Sequence, residues 1–468
     1  MIGGGLAGLA CSVALADAGL QVRLFEKRPH LGGRATSYTL PDGSEVDNCQ
    51  HVTLGCCTNL ADFYRRVNAA EKVRYYDRLY FADRQGRRYT MEASPWMPPP
   101  LHMTASFLRF GALSLADKRA IANALLAIAR AGGKPACAGL ASMLDWLRRM
   151  DQTEGAIQRF WRVVLVSALD EELDRTSGQY GIDVFWKAFL ANRRGYRIGV
   201  PAVPLADLYG GCRDVLTQRG GEVRLRSGVR ELRLEQGNFA AAVLEDDTEV
   251  ASDLCVLAVP QQAVAGLVGT SSLLSRFVAP LENLETSPIT GVHLWFDRTV
   301  MSEPFLALLD HTTQWIFNKS LLSDPAGSQP PAAKGQYLQL VISASYDLAR
   351  RSRQEIIDLC RRELLDVLPG TRAARLEKST VIKEIHATFS PAPGVDRWRL
   401  PQKSPVPNLF FAGDWTLTGW PATMEGAVRS GYLAAEALLE SLGKPQKFLR
   451  ADLPLEGLSA RWARAKSS

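Results

Sequence analysis

The chain has 468 residues, 46% of them hydrophobic and 22% charged, with a net charge of +6. That length and balance imply two or three domains around a large core, and exclude a disordered chain or a small disulfide scaffold. The eight cysteines are scattered and no Cys/His cluster has zinc spacing, so reduced thiols in a cytoplasmic protein are expected, with no metal site.

The chain opens on Gly3-Gly4-Gly5-Leu6-Ala7-Gly8, a G-x-G-x-x-G that starts an apolar helix. Val22 to Phe25 then form a strand ending in the acid Glu26. Gly3 allows the tight turn, Gly5 lets the backbone approach a diphosphate, and Gly8 lets the helix pack closely on the strand. The helix N-terminus offers free N–H groups to the diphosphate, and Glu26 is placed to bond a ribose. The glycine pattern alone is weak; helix, strand and acid together make it a dinucleotide site. Only Met1 and Ile2 precede Gly3, where a strand of about five residues is expected, so a start further upstream is favoured over a truncated strand.

Gly32-Gly33-Arg34 reads as a loop that approaches a ligand, with a guanidinium for phosphate. Val46 to His51 is a short strand closing on polar groups. Residues 58–197 are mostly helical, with a hairpin around Gln85-Gly86 and helices over 115–131, 140–149 and 155–169. The segment 93–108 is uncharged, apolar and Pro-rich and cannot be one helix. It suits a membrane contact, a lid over a greasy substrate, or a buried loop. A helix is expected over 204–219, strands over 222–225 and within 229–250, and a doubly buried parallel strand over 253–260. The longest uncharged run, 254–275, is broken by Pro260 and does not read as a membrane span. Alternating stretches in 291–343 indicate a second, partly antiparallel sheet, followed by a helix over 352–368 and a strand over 381–389.

Asn408 to Phe411 form a strand that ends in Ala412-Gly413-Asp414, and after a loop Ala422-Thr423-Met424 start a long helix. Gly413 permits close approach, Asp414 accepts from ribityl or phosphate-side hydroxyls, and the helix N-terminus stabilises negative charge on a reduced flavin. From Lys444 onward six Lys and Arg face two acids, a net of +4. Such a tail suits a negative surface or is simply solvated.

Residues 1–442 together resemble the FAD-dependent amine oxidase and phytoene desaturase superfamily. Within it, the segments 31–37, 47–51, 292–297 and above all 412–427 (AGDWTLTGWPATMEGA) resemble the hydroxysqualene dehydroxylases of bacterial squalene and hopanoid synthesis. Cys49, where that family usually has Gly, and Cys56-Cys57 depart from its pattern. The resemblance implies an α/β protein whose FAD-binding, Rossmann-like domain of the glutathione-reductase type draws on 1–57, 204–290 and 396–442. An α+β substrate-binding domain from 58–203 and 291–395 is interleaved with it, and 443–468 is a basic C-terminal tail. It places FAD against Gly3, Gly5, Gly8, Glu26, Gly33, Arg34, Val229, Gly413, Asp414, Trp420, Ala422, Thr423 and Met424.

The implied reaction passes hydride from reduced FAD to an allylic carbon of hydroxysqualene as its hydroxyl leaves, giving squalene. It needs a proton donor and an apolar tunnel. Asp47, Gln50 and His51 are the catalytic candidates; His51 either supplies the proton or is structural, and Asp47 fixes the loop rather than titrating. Trp420 either stacks beside the flavin or packs in the core. No second nucleotide motif identifies the electron donor. The rivals are an oxidative carotenoid or phytoene-type desaturase and, in another class, a flavin-free lipid-binding protein. An amine oxidase is disfavoured for want of a second aromatic partner. The expected partners are a long apolar isoprenoid and a membrane surface, with no nucleic acid; the expected location is the cytoplasm, peripheral on the inner membrane.

Overall fold

The computed structural model describes residues 1–136, 141–269, 272–323 and 335–464. Cys137 and the expected helix start at Leu140 lie outside them.

A parallel sheet of short strands forms the first layer. Glu222–Arg224 pairs with Arg23–Phe25, and Cys255–Leu257 pairs with Leu409–Phe411. Ile2 joins the two pairs as a single-residue strand, bridging Phe25 on one side and Leu257 on the other. Its N–H donates to Val256 O (3.0 Å), and Gly3 N–H donates to Phe25 O (2.9 Å). Ile2 thus aims the glycine turn at the carboxyl edge of the sheet. Leu24, Cys255 to Leu257 and Leu409 to Phe411 are buried, as doubly covered parallel strands require.

Helix Leu6–Asp17 is buried over all but its last residue and packs on helix Met424–Ser441. The contact is close because Gly431 of the second helix lies against Ala7 O, where a Cβ would sit 2.3 Å away. Both helices start at the same edge of the sheet. A three-stranded antiparallel sheet over Val229–Glu235, Asn238–Leu244 and Glu249–Ala251 flanks this layer.

The single helix expected over 204–219 is corrected to a 3-10 turn, Leu205–Leu208, and an α-helix, Gly210–Gln218. Leu205 N–H donates to Asp47 Oδ1 and Ala206 N–H to Ser37 Oγ, so tertiary partners hold the first turn apart from the helix.

The second layer is a seven-stranded mixed sheet in the order Leu376–Phe389, Thr286–Phe296, Gln336–Ile342, Trp315–Asn318, Phe305–Leu308, Arg78–Ala82, Arg88–Glu92. Helix Arg353–Val367, started by a Ser352/Glu355 capping box, packs against it. The helical segments 154–169 and 178–190 each contain a π turn, Ile157–Trp161 and Phe185–Leu190. Such turns recur beside functional sites, and both helices contribute to the cavity described below.

The expected free tail is also corrected. Residues 444–456 run as a strap over helices Thr58–Arg66 and Met424–Ser441 and past Lys187 and Asn192, and Gly457–Arg464 is helical. Lys447 pairs with Glu436 (2.8 Å), Arg450 with Asp62 (2.9 Å) and Asp452 with Lys187 (3.2 Å), while Leu458 N–H donates to Pro99 O (2.9 Å). Lys447 and Arg450, two of the six cations that the sequence suggested were free, thus meet carboxylates of the body. The segment 93–108 is a loop followed by helical turns at Leu101–Met103 and Thr104–Arg109. It leaves Trp96 (89%), Leu108 (62%) and the following Leu115 (85%) exposed. Among the described residues no helix is long and apolar enough to cross a membrane.

Candidate active site

A cavity of about 640 Å³ runs along the carboxyl edge of the parallel sheet. Gly3, Gly5, Glu26, Gly33, Arg34, Val229, Gly413, Asp414, Ala422, Thr423 and Met424 all line it. Gly8 does not; a Cβ there would sit 2.0 Å from Gly3 O, so it allows helix and turn to touch. Gly3 has φ +107° and would place a Cβ 2.4 Å from Ala258 O. Above Gly5 the space is open: the nearest atom to a Cβ is Gly33 Cα at 3.9 Å. The helix starting at Leu6 has no side-chain cap, so its first N–H groups are directed at that space. This is a cradle for a diphosphate.

Glu26 is buried and already engaged: Gly4 N–H donates to Oε2 (2.7 Å) and Arg28 N–H to Oε1 (2.8 Å). It pins the glycine turn as well as facing the cavity. Arg34 and Asp414 meet each other, at 2.6 Å, and Arg34 also donates to Ala387 O (2.7 Å). The guanidinium and carboxylate thus form one paired wall of the cavity. At its other end, Thr423 caps helix Met424–Ser441 by accepting from Gly426 N–H.

A smaller cavity of about 230 Å³ abuts the first, lined by Leu54, Leu79, Phe81, Val163, Val164, Phe189 and Trp315 among others. Gln50, Val52, Ser167, Ala168, Val341 and Ser343 belong to both walls. At these residues the larger cavity and the apolar one share a wall.

The three catalytic candidates are placed differently. Gln50 lies at the junction; its Oε1 accepts from Lys319 Nζ (3.0 Å) and its Nε2 donates to His51 O (3.1 Å). His51 lines the larger cavity with Nδ1 3.0 Å from Cys49 O. A carbonyl only accepts, so Nδ1 carries the hydrogen and Nε2 is the free acceptor. Burial lowers the His51 pKa below its ordinary value, so the ring is neutral at pH 7. Of the two roles expected of His51, this arrangement suits the structural one better than proton donation: the ring presents an acceptor.

Asp47 does not line either cavity. It accepts from Ser37 Oγ (2.8 Å), Leu205 N–H (3.0 Å) and Lys319 Nζ (2.9 Å). Burial alone would raise its carboxyl; Lys319 and these hydrogen bonds outweigh it and hold it below the usual range. Asp47 is a structural carboxylate, not a member of the reacting group. Trp420 is on the wall of the smaller cavity, beside Thr423 and Met424, which line both cavities, with the Lys187 ammonium and Arg429 guanidinium 4.5 and 4.6 Å from its ring centroid.

Lys319, Asp170 and Thr388 escaped the sequence reading. Lys319 follows an alternating strand and looks like a surface cation; Asp170 and Thr388 belong to no motif, and only folding brings them to the cavity wall.

An uncapped helix start over open glycine backbone, an acid after the second strand and a second helix start at the far end define a dinucleotide-binding flavoprotein. Residues 6–439 match the family described as flavin containing amine oxidoreductase, and the chain belongs to it. Its cofactor is FAD. Among the relatives, the 15-cis-phytoene desaturase of Solanum lycopersicum is 26% identical, over 96% of this chain and 79% of its own. The 15-cis-phytoene desaturase of Synechococcus elongatus is 25% identical, over 93% and 94%. The zeta-carotene desaturase of Synechocystis is 25% identical, over 95% and 98%. An oxidoreductase from Methanosarcina mazei shares the fold with a TM-score of 0.73 at 17% identity, over 94% of this chain and 99% of its own. Putrescine oxidase does so with 0.67 at 14%, over 94% and 98%.

Proposed function

We propose that the protein exchanges hydride between FAD and an allylic carbon of a long apolar isoprenoid. The observation that carries this reading is the junction at Gln50, Val52, Ser167, Ala168, Val341 and Ser343, where the FAD cavity opens on an apolar one. When bound there, FAD supplies a two-electron hydride acceptor or donor. The chain supplies orientation, through the glycine turn and the Arg34–Asp414 wall, and exclusion of water, through the aliphatic and aromatic lining.

The relatives support the oxidative direction, desaturation of a phytoene-type or carotene-type chain, and this is the first reading. His51, with its acceptor nitrogen on the cavity, is compatible with it. Reductive removal of the hydroxyl of hydroxysqualene is the second reading, favoured by the wording of 412–427. The reductant or oxidant that resets the cofactor is a separate partner.

The smaller cavity takes part of such a chain, and the rest lies toward the surface. Ala93 N–H donates to Tyr196 OH (2.9 Å), which ties the exposed apolar segment to a residue of the cavity wall. Trp96, Leu101, Leu108 and Leu115 form the face that rests on a bilayer, at the cytoplasmic side of the inner membrane.

The test is anaerobic incubation of FAD-loaded protein, oxidised with phytoene and chemically reduced with hydroxysqualene, following flavin absorbance and product mass. Bleaching with a dehydrogenated product supports desaturation. Reoxidation with squalene formed supports dehydroxylation. Neither change, with FAD bound, removes the isoprenoid reading.

A further inference from the structure

Asp170 is a buried acid, 4% exposed, on the wall of the FAD cavity. It ends helix Arg162–Leu169 in a left-handed conformation, φ 53°. Ser167 and Ala168, just before it, belong to both cavity walls. Its Oδ1 accepts from Ala344 N–H (2.8 Å), and Ala344 is itself left-handed, φ 49°. Ser343, next to Ala344, also belongs to both walls. Two non-glycine residues in this sparsely populated region thus face each other across the junction. Strain of this kind persists only where the surroundings hold it and gathers at active sites. On the other side, Thr388 Oγ1 lies 2.9 Å from Asp170 Oδ2, and Thr388 lines the same cavity.

The contrast with Asp47 shows what the surroundings do. Both carboxyls are buried, but Asp47 has Lys319 at 2.9 Å, whereas Asp170 has three uncharged groups around it, Ala344 N–H and the Thr388 and Ser287 hydroxyls, and a carboxylate beside it. That neighbour, Glu171, is held by Tyr346 OH (2.7 Å), Ser390 Oγ (2.6 Å) and Arg175 (3.2 Å). The other charged groups on this part of the cavity are Glu384 and the paired Arg34 and Asp414, and the Cys49 thiol is near. Burial therefore pushes Asp170 well above the carboxylate range, toward the protonated form. Acids and bases whose environments drive them apart in this way mark the groups that trade protons.

We propose that Asp170 is the proton-exchanging group of this site, acting on the substrate through the Thr388 hydroxyl. The proposal rests on the hydride-exchange reading above and adds the proton that must accompany the hydride. In desaturation one carbon gives up hydride, whose two electrons pass to FAD and on to a quinone or dioxygen. The adjacent carbon loses H⁺ to the Asp170 carboxylate by way of Thr388, and that C–H electron pair becomes the new double bond. In dehydroxylation the C–O bond breaks with its electrons on oxygen. The proton held by Asp170 turns the leaving hydroxyl into water, and the carbon takes hydride from FAD reduced beforehand by a nicotinamide or dithionite. Dehydroxylation needs the acid protonated and desaturation needs it ionised, so the first falls as pH rises through its pKa and the second rises. The sign of the pH profile therefore reports the direction of the reaction.

The experiment compares FAD-loaded wild type, Asp170→Asn and Thr388→Val. Asn keeps the size, tolerates the left-handed backbone and still accepts from Ala344 N–H. Infrared spectra at pH 7 should show a protonated carboxyl band in wild type and Thr388→Val that Asp170→Asn lacks and that high pH removes. Turnover should fall about 100-fold in both variants with FAD retained, and the pH dependence assigned to the acid should vanish in Asp170→Asn. No such band in wild type, or Asp170→Asn turnover and pH profile like wild type, overturns the proposal. If wild type turns over neither isoprenoid, the functional reading fails by itself. Asp170 is then decided by the midpoint potential of bound FAD against pH: a break in slope absent from Asp170→Asn supports it, and identical slopes overturn it.

Discussion

Replacing Lys319 by Met removes one half of a buried ion pair and leaves the other half in place. The Asp47 and Lys319 side chains are 2% and 7% exposed and 2.9 Å apart. A lone carboxylate left in that setting costs about 3–5 kcal/mol, a large part of the roughly 5–15 kcal/mol that holds a domain folded. Urea unfolding of the FAD-loaded protein measures it. The double variant Asp47→Asn/Lys319→Met should recover much of the loss, because neither charge then remains. The acid side carries a second signature. Folding lowers the Asp47 pKa, so its stabilisation is complete above the unfolded value of about 4 and is lost as pH falls through the folded one. In Lys319→Met the sign reverses, since a buried lone carboxyl titrates high and protonation relieves it. A loss under about 1 kcal/mol, or an unchanged acid slope, would refute the argument that this pair holds the 47–51 loop.

Gly5→Ala should fold as well as wild type yet bind FAD at least about tenfold more weakly, since a Cβ there meets no protein atom within 3.9 Å but enters the diphosphate space. Gly8→Ala, with its Cβ 2.0 Å from Gly3 O, should lose stability whether or not FAD is present, and thermal unfolding with and without FAD separates the two. His51→Ala should keep FAD and lose about 100-fold in turnover if its free nitrogen faces substrate; unchanged turnover removes it from the mechanism. Its folded pKa lies below its ordinary 6.5, so its share of stability is complete above that value and is lost as pH falls through the folded one, which a melting series of wild type against His51→Ala detects. Wild type should sediment with anionic liposomes and Trp96→Ser/Leu108→Ser should not, and no binding by wild type at any salt rejects the bilayer face.

The sequence by itself determined the cofactor end of this protein. A glycine turn, an acid at a strand end and a second strand-to-helix start are local patterns. Each constrains backbone that lies within a few residues of itself, so Gly3, Gly5 and Glu26 could be named from spacing, Gly413 from the strand it ends, and Thr423 from the family resemblance. The apolar strands Cys255–Leu257 and Leu409–Phe411 were readable for the same reason: a doubly buried strand must be apolar along its length. What only the tertiary structure decided is the chemistry of the side chains around that backbone. Whether an acid is paired depends on what packs beside it from far along the chain. Lys319 reaches Asp47 across 272 positions, and Thr388 reaches Asp170 across 218. No local pattern records either meeting. The first makes Asp47 a fixed charge, and burial without a cation in the second raises the Asp170 pKa. The basic tail shows the same limit, because its Lys447 and Arg450 look free until Glu436 and Asp62 are placed beside them. Charge is written in the sequence, but the local dielectric and the partner that set its energy are properties of the folded chain.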